Sequence, residues 1–333
     1  MKYGNLNRSK ISFSKIIVWL LIVVIGFLAL LIFLNREWVH DYLRGRAYEP
    51  SSEMERIRRD LALTERGEFL FNAAQPRLSE RDEFNDHCRP GDNSEIAVLG
   101  CYVNDNIYVY NIKEAELDGI RELTAAHELL HMVFARMSET EKNELRGKLD
   151  QVYKDNVDIL KEDLETYDSA EQFEELYVRA GTEVADLPAS LEKHYGEFFK
   201  DQDRIVTFYN EYIAVFREIE AEEETLKQEM AEIGALIETN KKKYGEWLKD
   251  LNAKIEEFNG CANMEGCFES QAMFYVQRSN LIAEQKALEA FYNETNALID
   301  QYNEKVVKYN ENVLRGEELN RIVNSNEGSE KIE

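Results

Sequence analysis

Ile120 to Met137 reads IRELTAAHELLHMVFARM, with neither glycine nor proline, and how this stretch is read decides the rest of the chain. A run free of helix breakers is predicted to be a helix. Within it His127 and His131 are four residues apart. At 3.6 residues per turn they share a face, so both imidazoles can reach one metal ion while Glu128 lies beside them. The plain alternative is a pair of half-buried histidines on a core helix.

Working outward towards the N-terminus, Glu95–Val103 (EIAVLGCYV) and Ile107–Ile112 (IYVYNI) flank Asn104-Asp105-Asn106. β-Branched and aromatic residues around an Asn/Asp turn predict a hairpin. Residues 51–65 read as helix, and Thr64 can cap a second short one through Phe69 to Ala74. Beyond the central helix, Ser169 and Gln172 have capping-box spacing, Gly181 can close the helix they open, and Pro188 can start another. Residues 35–198 are therefore expected to form one compact α+β domain.

The first 46 residues hold Lys2, Arg8, Lys10, Lys15, Arg36, Arg44 and Arg46 against Glu37 and Asp41. That is +5, which leaves -30 of the formal net -25 to all that follows. So acidic a body repels phosphate backbones, and nucleic-acid binding is excluded as a function. Ile16–Leu34 (IIVWLLIVVIGFLALLIFL) carries no charge and is long enough for the ~20 apolar residues that cross a bilayer. Leu34-Asn35-Arg36-Glu37 follows directly, with no small-residue cleavage site, so an uncleaved single-pass anchor is expected. The basic tail of residues 1–15 puts the N-terminus in the cytoplasm by the positive-inside rule, and Trp38 and Tyr42 suit the outer interface. Cys88 with Cys101, and Cys261 with Cys267, are then expected to form two local disulfides in an oxidising compartment.

From Ile205 the pattern changes. Tyr209, Tyr212, Phe216, Ile219, Glu223, Leu226, Met230, Ile233, Ile237, Asn240, Tyr244, Trp247 and Leu251 continue a series spaced alternately four and three apart, in which only Glu223 and Asn240 are polar. After a break at Asn259–Cys267, a second series runs from Phe274 to Val313. These are heptad seams, and two long helices joined by a short loop are expected to fold back as an antiparallel coiled coil over residues 199–316. Such a hairpin acts as a spacer or offers a partner surface along its length. Residues 317–333 read as a polar tail.

His127-Glu128-x-x-His131 resembles the zincin metallopeptidase signature. Phe134 and Met137 stand where metzincins continue the motif, so that branch is excluded, and the resemblance is to gluzincin-like proteins, whose third ligand is a downstream glutamate. Glu174, Glu175 and Glu183 are the candidates. Glu175 is preferred because Glu175-Leu176-Tyr177 ending in Gly181-Thr182-Glu183 is similar to a block in small exported members of that group. The residues themselves point less clearly: Phe173, Leu176, Tyr177 and Ala180 form the apolar face, Glu174 is at its edge, and Glu175 lies nearly opposite, where it can pair with Arg179. The resemblance implies a bound Zn2+, Glu128 as general base, a peptide or protein substrate, and His194 or Tyr195 as donor to the developing oxyanion.

The fold expected is mostly α with some β: an N-terminal transmembrane helix, a zincin-like domain with a β-hairpin, and a C-terminal antiparallel coiled coil. The function expected is membrane-anchored, extracytoplasmic peptide hydrolysis. The rival from another class is an envelope scaffold or adhesin that works through the coiled coil and carries a structural or degenerate zinc site.

Overall fold

The computed structural model describes residues 13–88, 99–164, 167 and 171–325. Most of the leading tail, the first part of the Glu95–Val103 strand, the Ser169 cap and the end of the polar tail lie outside the described residues. The chain divides into two compact units, Met1–Tyr212 with Val323–Glu333, and Ile213–Ile322. The described residues are mostly helical, with one small sheet.

The first unit begins with α1 (Phe13–Leu34), whose Ile17–Leu34 segment has a mean hydropathy of 3.3 and none of it buried. It is long and apolar enough to cross a membrane. Asn35 interrupts it for one residue, and α2 (Arg36–Ala47) follows. The sequence reading has no helix there. Trp38 and Tyr42 stack on each other at 5.4 Å, and Trp38 also stacks on Phe69 at 6.3 Å, so these aromatics dock α2 onto the domain.

α3 (Ser52–Asp60) and α4 (Glu65–Ala73) start where side chains satisfy free amides: Ser51 Oγ accepts from Met54 N, and Thr64 Oγ1 from Gly67 N. Then come β1 (Arg77–Ser79), α5 (Arg81–His87), β2 (Gly100–Val103) and β3 (Asn106–Tyr110). The order in the sheet is β1-β3-β2, with β1 parallel and β2 antiparallel to β3. Asn104 and Asp105, at φ of 50° and 60°, make the two-residue turn whose twist suits a hairpin. The turn is thus one residue shorter than the sequence suggests, with Asn106 already in β3, and three-residue β1 is too short to leave a periodic signal. Cys88 and Cys101 are disulfide-bonded, tying the end of α5 to β2.

The central helix α6 (Ile120–Arg136) buries most of its residues beneath the sheet and α9. α7 (Glu139–Asp155) opens on a capping box made by Ser138 and Glu141, and α8 (Val157–Leu164) follows. α9 (Gln172–Glu183) packs along α6. Gly181 does not end this helix. A Cβ at Gly181 would lie 2.6 Å from both Leu130 Cδ1 and Tyr195 Cε1, so its bare backbone is what lets α9 approach α6. α10 (Ala189–Tyr195), with Pro188 at its N-cap, closes the core through Leu191 and Tyr195.

α11 (Gln202–Ala262) and α12 (Gln271–Val323) are single uninterrupted helices. Within the second unit they pair in reverse order. Lys305 Nζ meets Glu229 at 2.5 Å, Tyr244 packs on Tyr292 at 5.6 Å, and Trp247 and Lys254 both donate to Glu284. Ile219, Leu226, Ile237, Leu251 and Leu288 are buried between them. Cys261 and Cys267 are disulfide-bonded in the connecting loop. α12 runs past residue 316 to Val323 with Leu319 and Val323 buried, so the first part of the segment read as a polar tail is helix.

Candidate metal centre

His127 and His131, one turn apart on α6, meet Glu175 from the first turn of α9, and their ligand atoms all lie within 4.8 Å of one another. The three side chains approach one another at similar distances, through both oxygens of the carboxylate. The two Nε2 atoms are 3.3 Å apart, Glu175 Oε1 is 3.6 Å from His127 Nε2, and Glu175 Oε2 is 3.5 Å from His131 Nε2. Two imidazoles and one carboxylate whose ligand atoms lie within 4.8 Å of one another are a donor set of the kind zinc takes. The imidazoles keep 22% and 19% of their side-chain surface exposed, which leaves one side open to solvent.

Two of the three donors are held from behind. Glu174 Oε1 is 2.8 Å from His131 Nδ1, which turns Nε2 of that ring towards the triangle. Arg179 Nε donates to Glu175 Oε1 at 2.9 Å, and its Nη1 donates to Glu183 Oε2 at 3.3 Å. The three glutamates therefore separate: Glu175 faces the histidines, Glu174 orients one of them, and Glu183 holds the arginine that holds Glu175. The amphipathic reading that set Glu175 opposite the apolar face misses that α9 is buried on more than one side. Glu175 and Glu183 are as buried as Leu176.

The charges follow from that packing. Burial drives the His127 imidazole down to about 3, against the pull of Glu175. For His131 burial works against the proton, but the hydrogen bonds that the ring donates to Glu174 and Glu175 outweigh it and raise the ring to about 10. Burial also opposes the Glu175 charge, yet His127, His131 and Arg179 hold its carboxyl down to about 2. Without a metal, His131 is thus the imidazole that favours the charged form, and His127 the one that favours the neutral form.

Glu128 lies one residue along α6 and faces the sheet. Burial raises its carboxyl to about 7, although His131 draws it down and the backbone N–H of Tyr102 donates to it. β2 comes this close because of Gly100. A Cβ there would lie 2.7 Å from Glu128 Oε1 and 2.5 Å from Thr124 Cγ2. The sequence reading passes over Gly100, although a glycine inside a strand pattern signals close approach.

His194 and Tyr195 are engaged elsewhere. Tyr195 is fully buried and its hydroxyl donates to the Tyr177 carbonyl at 2.7 Å. His194 Nε2 is 3.0 Å from the Tyr177 hydroxyl, and the ring lines a cavity of about 620 Å³ with Arg66, Val133 and Arg136, on the face of α6 away from the triangle. The structure brings neither side chain into the cluster of His127, His131 and Glu175. Neither protein-family models, nor characterised proteins, nor solved structures give a match to this chain.

Proposed function

We propose that this chain is a membrane-anchored zinc metallopeptidase of the gluzincin-like kind, with His127, His131 and Glu175 as metal ligands. The observation that carries the reading is the cluster of two imidazoles and a carboxylate, 3.3–3.6 Å apart at their nearest atoms, beside a buried carboxyl. A bound zinc would lower the pKa of water to near 7 and polarise a carbonyl. Glu128, whose carboxyl burial raises to about 7, is the group that would accept a proton beside such a metal and give it up again. Tyr102 N–H and the surrounding apolar packing hold the Glu128 carboxyl in one position. β2 is an edge of the sheet among the described residues, and a strand edge can bind an extended peptide by main-chain hydrogen bonds. The anchor is α1, with the N-terminus cytoplasmic and the catalytic unit outside. The paired helices α11 and α12 serve as an antiparallel coiled-coil spacer.

The deciding experiment measures zinc content and cleavage of an unstructured peptide by the full chain in detergent micelles. Wild type should hold about one zinc and cleave. Glu128→Gln should keep the zinc and lose activity by about 10²-fold to 10⁴-fold, as for a lost general base. Absence of zinc in the wild type sinks the proposal. Met264, Met273, Tyr275 and Val276 are exposed near the disulfide-closed loop joining α11 and α12, which favours the scaffold or adhesin as second reading. A cellular phenotype unaffected by Glu128→Gln but lost on deleting Asp203–Arg315 would select it.

A further inference from the structure

Among the described residues of α2, two charged side chains reach across the domain to one spot. Asp41, 3% exposed, receives both Arg136 Nε and Arg136 Nη2 at 2.9 Å, a bidentate pair with the last residue of α6. The same Arg136 Nη2 also donates to Asp105 Oδ1 at 2.8 Å, and the Tyr102 hydroxyl donates to that oxygen at 2.8 Å. Arg44, one turn further along α2, donates through Nη2 to the Asp105 carbonyl at 2.8 Å and to Asn106 Oδ1 at 2.9 Å, and through Nε to the Ala73 carbonyl at 2.9 Å. The β2–β3 turn is therefore gripped by two residues of α2, one directly and one through Arg136. The strand that enters this turn, β2, is the one whose Tyr102 N–H holds Glu128.

The anchor continues into this grip. Asn35 N donates to the Leu31 carbonyl at 3.1 Å and Val39 N to the Asn35 carbonyl at 2.9 Å, so backbone bonding passes from α1 into α2 through the single intervening residue. An extracytoplasmic domain tethered by a loose linker would need none of these contacts.

We infer that α2, through Asp41 and Arg44, is a positioning element of the candidate active site: it holds edge strand β2, and by way of Tyr102 the Glu128 carboxyl, in register with α6. The catalytic consequence rests on the peptidase reading, but the mechanical one does not. Asp41 and Arg44 touch no reacting atom and act only through the strand.

The test is hydrogen exchange followed by mass spectrometry on the full chain in micelles, comparing wild type with Asp41→Asn and, separately, Arg44→Gln. Amides of Gly100–Asn106 should exchange about tenfold faster in each variant, while α9 keeps its wild-type protection, because a local opening samples only the contacts it breaks. Zinc content should be unchanged. kcat for peptide cleavage should fall with KM nearly constant, and Asp41→Glu should recover part of the loss where Asp41→Asn does not. Unchanged protection of Gly100–Asn106 in both variants overturns the inference. Should Asp41→Asn lose protection everywhere, Arg44→Gln, which leaves the Asp41–Arg136 pair intact, decides alone. A wild type that binds no zinc removes the peptidase reading, and the exchange result then still decides whether α2 holds the strand.

Discussion

Replacing Gly100 by alanine inserts a methyl group where the structure has no room. The new Cβ would lie 2.5 Å from Thr124 Cγ2, 2.7 Å from Glu128 Oε1 and 2.8 Å from Glu128 Cγ, where ordinary contact begins at 3.4 Å. The overlaps are therefore 0.6–0.9 Å (3.4 less 2.8 and 3.4 less 2.5). Thr124 cannot turn aside, because its hydroxyl is bonded to the Ile120 carbonyl at 2.7 Å inside a buried helix. Either β2 moves off α6 or Glu128 leaves its rotamer. Overpacking of this kind costs ~1–3 kcal/mol. At ~2–4 °C per kcal/mol for a unit of this size, the melting temperature should drop by roughly 2–12 °C. Thermal denaturation of the zinc-free chain reads the stability, and peptide cleavage by the zinc-loaded chain should fall with it, because the displaced group is the proposed base. Thr124→Ser removes the methyl nearest the clash while keeping the bond to Ile120, so the double variant Gly100→Ala with Thr124→Ser should regain part of the loss, a coupling of ~0.5 kcal/mol or more. A Gly100→Ala chain that melts with the wild type and cleaves at its rate would refute the packing argument.

Arg179→Ala leaves Glu175 and Glu183 buried without their shared cation, and a loss of ~3–5 kcal/mol by chemical denaturation is expected. Glu174→Gln should weaken zinc by about 10-fold to 100-fold without abolishing it, Glu175→Ala should remove it, and Glu183→Gln should leave a bound ion, all read by competition with a chelating dye. Because His131 keeps its proton up to about 10 in the metal-free protein, zinc must displace it. Apparent affinity should then rise about tenfold per pH unit from 6.5 towards 10, with about one proton released on titration calorimetry. The same raised pKa gives the metal-free chain stability that is full below pH 6.5 and lost as pH climbs through about 10, so melting curves of wild type and His131→Ala should converge across that range.

What could be read without coordinates is what depends on spacing along one helix or strand. The pair His127 and His131, the Thr64 cap, the Asn/Asp turn and the long apolar seams each leave a local pattern, and each lies on the element expected. The third member of the triangle does not follow from periodicity. Glu175 looks solvent-facing on a helical wheel and is buried because α9 is enclosed from several directions, so only the resemblance singled it out. Asp41, Arg136 and Asp105 are further beyond reach, since side chains from 31 to 95 residues apart meet there and leave no mark on local composition. Trp38 and Tyr42 carry a composition that suits a lipid interface equally well, which is why α2 is not evident as part of the domain.

Gly181 sets a tolerance for the whole centre. Glu175 lies six positions before it on α9, and the histidines lie on the helix that Gly181 touches through Leu130. Enlarging that one position would push α9 off α6 beside Leu130, the neighbour of His131, and carry Glu175 with it. The gauge of the candidate centre is thus set by a residue that contributes no donor to it, and a search for homologous centres should weigh the small residue on the second helix as heavily as the three side chains themselves.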